Sequence, residues 1–409
     1  MIKVSTDISR LSLTIKPHLP PSKSIAARAL LLTRLCTDGA APIANLPDCD
    51  DTRAMLRGLD APSPLINVQG AGTAMRFLTA YYACREGSDV VLTGIQRMRQ
   101  RPIGPLVDAL RTLGADISYT EHDGFPPLHI VGRQLHGADV VMDGSVSSQF
   151  VSALLMIAPL CGPVRLTLTG HIVSRPYIEM TLALMKHFGA PAAWEDEHTL
   201  YVPRGEYHSR PLTVEPDWTA ASYWLAIEKI ASPLLSAKEK MMGASLPDDT
   251  IQGDSIQGDS ICRWLFGTMP SAFDFTDHPD LVQTMAVAYC LMDKPFTFTG
   301  VQNLRLKETD RVLALTTELA KLGYKVEVVE DSAGGVSLIH PKDDSSPFIH
   351  DPSAVPVIDT YGDHRMAMAF APAALRFHEI IITHPEVVSK SYPLFWDDLR
   401  RAGFNIETI

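Results

Sequence analysis

The sequence predicts an α/β protein of two domains, each assembled from three copies of one supersecondary unit. Two recurring phrases carry that expectation. In the first, an amphipathic stretch ends in glycine and a short β-rich or turn-rich run follows, at Gly58, Gly114, Gly189, Gly267, Gly323 and Gly403. Glycine in that place is the usual left-handed helix C-cap, so each occurrence reads helix, stop, strand. The intervals between these glycines, 56, 75, 78, 56 and 80 residues, are too long for a solenoid and suit units holding more than one helix.

In the second phrase a polar or glycine-rich turn runs into an apolar helix. It occurs as PPSKS, GAGT, GSVSSQ, PDWT and TYGDH. Small residues, hydroxyls and carboxylates at such places cap helix starts. Capping does not account for the basic residues at several of these turns, Lys23, Arg28, Arg76 and Arg365. A helix start furnished with hydroxyls and cations suits phosphate and carboxylate groups. Residues 303–311, NLRLKETDR, extend the pattern. On a helix starting near Thr309, Arg311 falls in the first turn, where a cation works against the helix dipole. A bound anion would remove that conflict.

The join between the domains is expected near Glu215–Asp217, where Pro216 punctuates the pattern, and Asp217 reads as a helix N-cap. The duplicated IQGDS at 251–260 reads as a polar turn without chemistry.

Composition narrows the function. A chain of 409 residues, 46% hydrophobic and 20% charged, has the length for two or three domains and ample core. Its net charge of −11 argues against nucleic acid as a partner, while anionic small molecules respond to the local field of a cleft. The longest apolar run, Phe150 to Leu160, is short for a membrane span and interrupted, so no membrane association is expected. Six cysteines lack CxxC spacing and the 14 histidines lack a ligand pattern, so no metal is expected and the cysteines read as buried thiols in a reducing cytoplasm. A monomer is expected, because no exposed apolar helix face stands out.

Together the segments resemble the 5-enolpyruvylshikimate-3-phosphate synthase family. The resemblance runs from PSKSIAAR (21–28) through GAGTAMR, RMRQRPI, SVSSQF, SRPYIE, the Asp280 segment, NLRLKETDR and YGDHRMAM to SKSYP (389–393), in the family's order. It implies an α/β (α+β) fold: a two-domain inside-out α/β barrel, each domain three βαβαββ-type repeats around a pseudo-threefold axis. One lobe would hold residues 1–18 and 217–409 and the other 19–216, with the active site in the interdomain cleft. It also implies transfer of the enolpyruvyl group of phosphoenolpyruvate to the 5-hydroxyl of shikimate 3-phosphate, with release of phosphate and no cofactor. That chemistry calls for an acid, a base and fixed cations to hold two polyanions together.

Carried over by position, Lys23 would touch both substrates, while Ser24, Arg28, Ser147, Ser148, Ser174, Tyr177, Asn303 and Lys307 would face shikimate 3-phosphate. Gln149 would lie between the ligands. Gly72, Arg101, Arg311, Arg365 and Lys390 would form the phosphoenolpyruvate pocket. Asp280 would accept the 5-hydroxyl proton and Glu308 would donate one, with Lys307 sharing the acid–base work. The residues read without the resemblance are plainer: Asp280 as a helix cap, Tyr177 as a core aromatic, Arg97 and Arg99 as salt-bridge partners, His364 as a cap or core histidine. Gly70 and Phe77 depart from the family pattern, which has Asn and Pro there, and put affinity in the phosphoenolpyruvate pocket and sensitivity to its inhibitor glyphosate in question. Two alternatives stay open: the related UDP-N-acetylglucosamine enolpyruvyl transferase, which relies on a loop cysteine, and a non-catalytic anion-binding relative.

Overall fold

A computed structural model describes residues 1–12, 15–40, 42–61, 63–235, 255–341 and 354–409. Residues 251–254 of the duplicated IQGDS stretch lie outside the described residues. The chain divides into two compact units. The N-terminal unit comprises Pro21–Glu215 with Ile256–Gly258; the C-terminal unit comprises Met1–Pro20, Pro216–Ser255 and Asp259–Ile409. Gln257, in the short segment that accompanies the N-terminal unit, donates its amide to Glu215 Oε1 at 2.8 Å.

The repeat is explicit in the strand order. In the N-terminal unit, strands β3 (Leu65–Asn67), β4 (Asp89–Thr93), β5 (Asp116–Tyr119) and β6 (Leu128–Val131) form a sheet ordered β3-β4-β6-β5. The pair β3/β4 is parallel and the others antiparallel. Helix α3 (Gly72–Ala83) follows β3, and α4 (Gly104–Thr112) follows β4. The same βαβαββ order recurs with β7 (Asp139–Asp143), α5 (Ser148–Cys161), β8 (Val164–Thr169), α6 (Arg175–His187), β9 (Ala193–Trp194) and β10 (Thr199–Val202). A shortened copy pairs β11 (Leu212–Thr213) in parallel with β2 (Ile43–Ala44) and carries α1 (Lys23–Arg34) and α2 (Asp50–Leu59).

In the C-terminal unit, α7 (Trp218–Ala231) and α8 (Cys262–Thr268) precede a full copy: β12 (Ala272–Asp274), α9 (Val282–Leu291), β13 (Phe296–Thr299), α10 (Arg311–Lys321), β14 (Glu327–Glu330) and β15 (Val336–His340). A further copy is circularly permuted. It runs β16 (Val357–Ile358), α11 (His364–Phe370), β17 (Glu379–Ile382), α12 (Phe395–Arg401) and β18 (Phe404–Thr408), and borrows its last strand, β1 (Ile2–Thr6), from the chain's start. Strand β1 lies between β17 and β18, antiparallel to both. Its Ile2 and Val4 face the core while Lys3 and Ser5 point away, as period-two alternation requires.

Four of the six glycine stops are the expected left-handed caps: Gly114 (φ 96°), Gly189 (98°), Gly323 (84°) and Gly403 (99°). Gly58 and Gly267 correct the expectation, because both lie inside helices, α2 and α8. The four caps end the second helix of each full repeat and reverse the chain into the next antiparallel strand. Helices α2 and α8 each run one residue past the glycine and lead to the first strand of a new repeat. A Cβ on Gly58 would collide with Leu78 Cδ1, so that glycine is a packing residue. After α8 the left-handed position is held by Met269.

The apolar run at 150–160 forms most of α5, which is buried on nearly every side and is the central helix of its unit's core. Among the described residues no helix is long and apolar enough to cross a membrane.

Candidate active site

In each full repeat the two parallel strands feed the two helix starts, so their carboxyl ends share one edge of the sheet. Ligands of open α/β sheets bind outside that edge. Most of the expected site residues fall in these loops or the first turns after them, and Lys23, Ser24 and Arg28 lie in α1 of the shortened copy. Gly72 follows β3 and Arg101 follows β4; Ser147, Ser148 and Gln149 follow β7; Ser174 and Tyr177 follow β8. Asp280 follows β12; Asn303, Lys307, Glu308 and Arg311 follow β13; Arg365 follows β16 and Lys390 follows β17.

In the C-terminal unit three loops meet on Arg311, the first residue of α10 and only 1% exposed. Asp310 caps this helix, accepting from Leu313 N at 3.0 Å. The Arg311 guanidinium donates to Asp363 Oδ2 (2.6 Å), Asp280 Oδ1 (3.0 Å) and Glu308 Oε2 (2.9 Å). Burial lowers its proton affinity, but Asp363, Glu308 and Asp280 more than reverse this and hold it above the ordinary guanidinium value. Asp280 Oδ2 lies 2.7 Å from Arg365 Nη2, and Glu308 Oε1 lies 3.0 Å from Lys390 Nζ. The buried Tyr223 hydroxyl accepts from Arg365 Nη1 at 3.5 Å. Asn303 and Lys307 lie on the same loop as Glu308, in and just after the 3-10 turn Gln302–Leu306, both half-buried.

The anion that the α10 start calls for is thus supplied by the protein. Three cations, Arg311, Arg365 and Lys390, face three carboxylates, Asp280, Glu308 and Asp363. Counting basic residues along the sequence missed this balance, because Asp363 reads there as a cap. It does cap α11, accepting from Arg365 N at 2.9 Å, and the same carboxylate holds Arg311. Asp280 is not the cap its local sequence implies; it bridges two arginines. His364 is a buried histidine, 1% exposed.

In the N-terminal unit Lys23 opens α1 and donates to Asp51 Oδ2 at 3.2 Å. Ser24 lends its carbonyl to Arg28 Nη1 (2.9 Å). The other Arg28 donors reach Thr181 Oγ1 (2.7 Å), Ser152 Oγ (3.0 Å) and Tyr177 O (3.2 Å). Its guanidinium carbon lies 5.4 Å from the Phe77 ring centroid and 6.0 Å from that of Tyr177. These partners are neutral, and burial brings the Arg28 pKa down to about 10. A buried cation held by neutral groups gains most from an added anion.

Arg101 lies over Gly72, where a Cβ would stand 2.7 Å from its Nη1, so any side chain there would displace the guanidinium. Gln149 Nε2 donates to Thr73 Oγ1 at 3.1 Å and so joins the starts of α5 and α3. Ser147 caps α5, and Ser174 precedes α6 in the left-handed conformation (φ 55°). A bond from Val173 N to Gly144 O (3.2 Å) ties their loops. Arg99 pairs with Glu121 at 3.0 Å on the surface, as expected of it. Asp51, Thr73 and Tyr223 carry no signal in the sequence beyond their polarity.

The six thiols do not suit nucleophilic chemistry. Burial raises Cys36 to about 11 and Cys84 and Cys161 to about 12. Cys49, Cys262 and Cys290 shift the same way for the same reason. Among the described residues no group of three or more His, Cys, Asp or Glu is arranged to hold a metal ion.

Fold and site define a class: α/β proteins of repeated βαβαββ units whose strand-end loops gather arginines and lysines against carboxylates. The chain belongs to the EPSP synthase (3-phosphoshikimate 1-carboxyvinyltransferase) family, whose model matches residues 6–61 and 59–399. It is 46% identical over 420 residues to a 3-phosphoshikimate 1-carboxyvinyltransferase of Bacteroides fragilis strain YCH46, covering 98% of this chain and 97% of that one. It is 36% identical over 439 residues to the Photobacterium profundum protein of the same name, covering 95% and 98%. A solved EPSP synthase from Acinetobacter baumannii shares the fold, with a TM-score of 0.69, 20% identity and all of both chains covered.

Proposed function

We propose that this chain transfers the enolpyruvyl group of phosphoenolpyruvate to the 5-hydroxyl of shikimate 3-phosphate. Carbon 3 of the donor gains a proton as the hydroxyl oxygen bonds to carbon 2 and loses its own. The tetrahedral intermediate then expels phosphate and returns the carbon 3 proton, leaving the enol ether. The observation that carries the reading is Arg311, a buried cation meeting Asp280 and Glu308, the base and acid the reaction needs, on one guanidinium.

The same geometry orders the steps. Glu308 accepts from both Lys390 and Arg311. To act as an acid it must first exchange those cations for a proton, and the donor's phosphate and carboxylate are the groups that compete for them. Asp280 has both oxygens on arginines, so serving as a base requires one to be released to the incoming hydroxyl. In the N-terminal unit, Arg28, Ser147, Ser148 and Ser174 would hold shikimate 3-phosphate. Gly72 and Arg101 would take the donor, and Lys23, freed from Asp51, would reach both. Raised thiol pKa values speak against the cysteine-dependent nucleotide-sugar reaction. A coupled phosphate-release assay tests the proposal. Release only when both substrates are present is expected; no release, or release with UDP-N-acetylglucosamine in place of shikimate 3-phosphate, would overturn it.

A further inference from the structure

Glu318 lies two turns along α10 from Arg311, seven residues on and about 10 Å down the same buried face. It is fully buried. Its carboxylate accepts from the Tyr361 hydroxyl at 2.7 Å, from Asp359 N at 3.1 Å, and from Lys321 Nζ at 2.7 and 2.8 Å. Asp359 and Tyr361 belong to the loop between β16 and α11, the loop that carries Asp363 and Arg365.

That loop is strained where it is tied. Tyr361 has φ 52°, a left-handed conformation that non-glycine residues adopt at a cost, and Gly362 follows at 70°. Tyr361 N donates to Asp359 Oδ1 (3.0 Å), which also accepts from Thr383 Oγ1 (3.0 Å). Two residues beyond Tyr361 stands Asp363, which holds Arg311 and caps the helix beginning His364-Arg365. Helix α10 therefore meets this loop at two levels, Arg311 on Asp363 and Glu318 on Tyr361. Partial burial of this residue, which is 37% exposed, and the neighbouring Glu318 carboxylate both raise the Tyr361 phenol pKa, keeping it a donor across the working range.

We propose that Glu318 and Tyr361 form a strap that positions Asp363, and through it Arg311 and Arg365, for the donor anion. Neither residue touches substrate; both are positioning residues. The assignment of the donor to Arg311 and Arg365 rests on the function proposed above, whereas the strap itself does not.

The test uses the full chain with 15N-labelled arginine. The Arg311 Nε–H resonance is assigned by its loss in Arg311→Lys, and its exchange in D2O is followed. Tyr361→Phe removes only the hydroxyl. It is expected to speed Arg311 Nε–H exchange and raise KM for phosphoenolpyruvate by about tenfold each, with KM for shikimate 3-phosphate within about twofold. Glu318→Gln, which keeps an acceptor for the phenol, should be affected less than Glu318→Ala. Ile406→Val in β18 supplies a core variant of reduced thermal stability that should leave both readouts at wild-type values. Wild-type exchange in Tyr361→Phe, or an equal change in Ile406→Val, would overturn the strap. If wild-type protein releases no phosphate from the two substrates, the proposed reaction fails, and the exchange rates alone still decide for or against the strap.

Discussion

Arg28 and Arg311 show how differently two buried guanidiniums can be used. Arg311 is surrounded by carboxylates, so an incoming anion must displace them; Arg28 is held by hydroxyls, carbonyls and aromatic rings, so an anion adds to what is there. Phe77, one of the two departures from the family pattern, is fully buried beneath Arg28 and belongs to that neutral setting. Gly70, the other, has room: a Cβ there would meet Ile95 Cδ1 at an ordinary 3.5 Å. Gly72 has none. Gly72→Ala is expected to push the Arg101 guanidinium aside and raise KM for phosphoenolpyruvate by about tenfold or more, with KM for shikimate 3-phosphate unchanged in steady-state kinetics. Lys23→Met removes a preorganised cation and should lower kcat by roughly 10²–10³. A near-normal kcat would take Lys23 out of the reaction.

At the scale of the element, the glycines separate by the strand each helix leads to. Gly323 and its three counterparts turn the chain back into an antiparallel strand and need positive φ. Gly323→Ala should cost about 1 kcal/mol or more in urea unfolding, because alanine is strained in that conformation. Gly267 sits exposed inside α8 with open space where a Cβ would go. Gly267→Ala should stabilise by about 0.5–1 kcal/mol. The sequence shows the same helix-then-glycine phrase at both places. It does not show that one helix runs a residue past its glycine, as α2 does to Leu59 and α8 does to Thr268, where Met269 takes the left-handed position. The loop signals were more legible: hydroxyl or carboxylate followed by an apolar helix located the starts of α1, α5, α7 and α11, each with its predicted cap in place.

For the molecule as a whole, the permuted repeat makes the first residues structural. Strand β1 carries the ladders to both β17 and β18 and buries Ile2 and Val4. Removing residues 1–6 should leave two open strand edges and forfeit about 1.5–3 kcal/mol for each of those side chains. Loss of a cooperative unfolding transition for the C-terminal unit, with the N-terminal unit retained in limited proteolysis, is the expected result. A truncated chain that unfolds like the intact one would remove β1 from the accounting.

Read as a string, the chain already held its repeat glycines, its helix caps, its acidic overall balance and the order of its basic turns. Local chemistry writes these: φ preference, capping and periodicity act over a few residues and leave marks at fixed spacing. The pairing of Arg311 with Asp363, 52 residues away, and the strand that leaves residue 2 beside residue 382 are of another kind. An ion pair is made or lost within an ångström or two, and two carboxylates at equal distance along the chain look alike until the backbone brings one of them within reach.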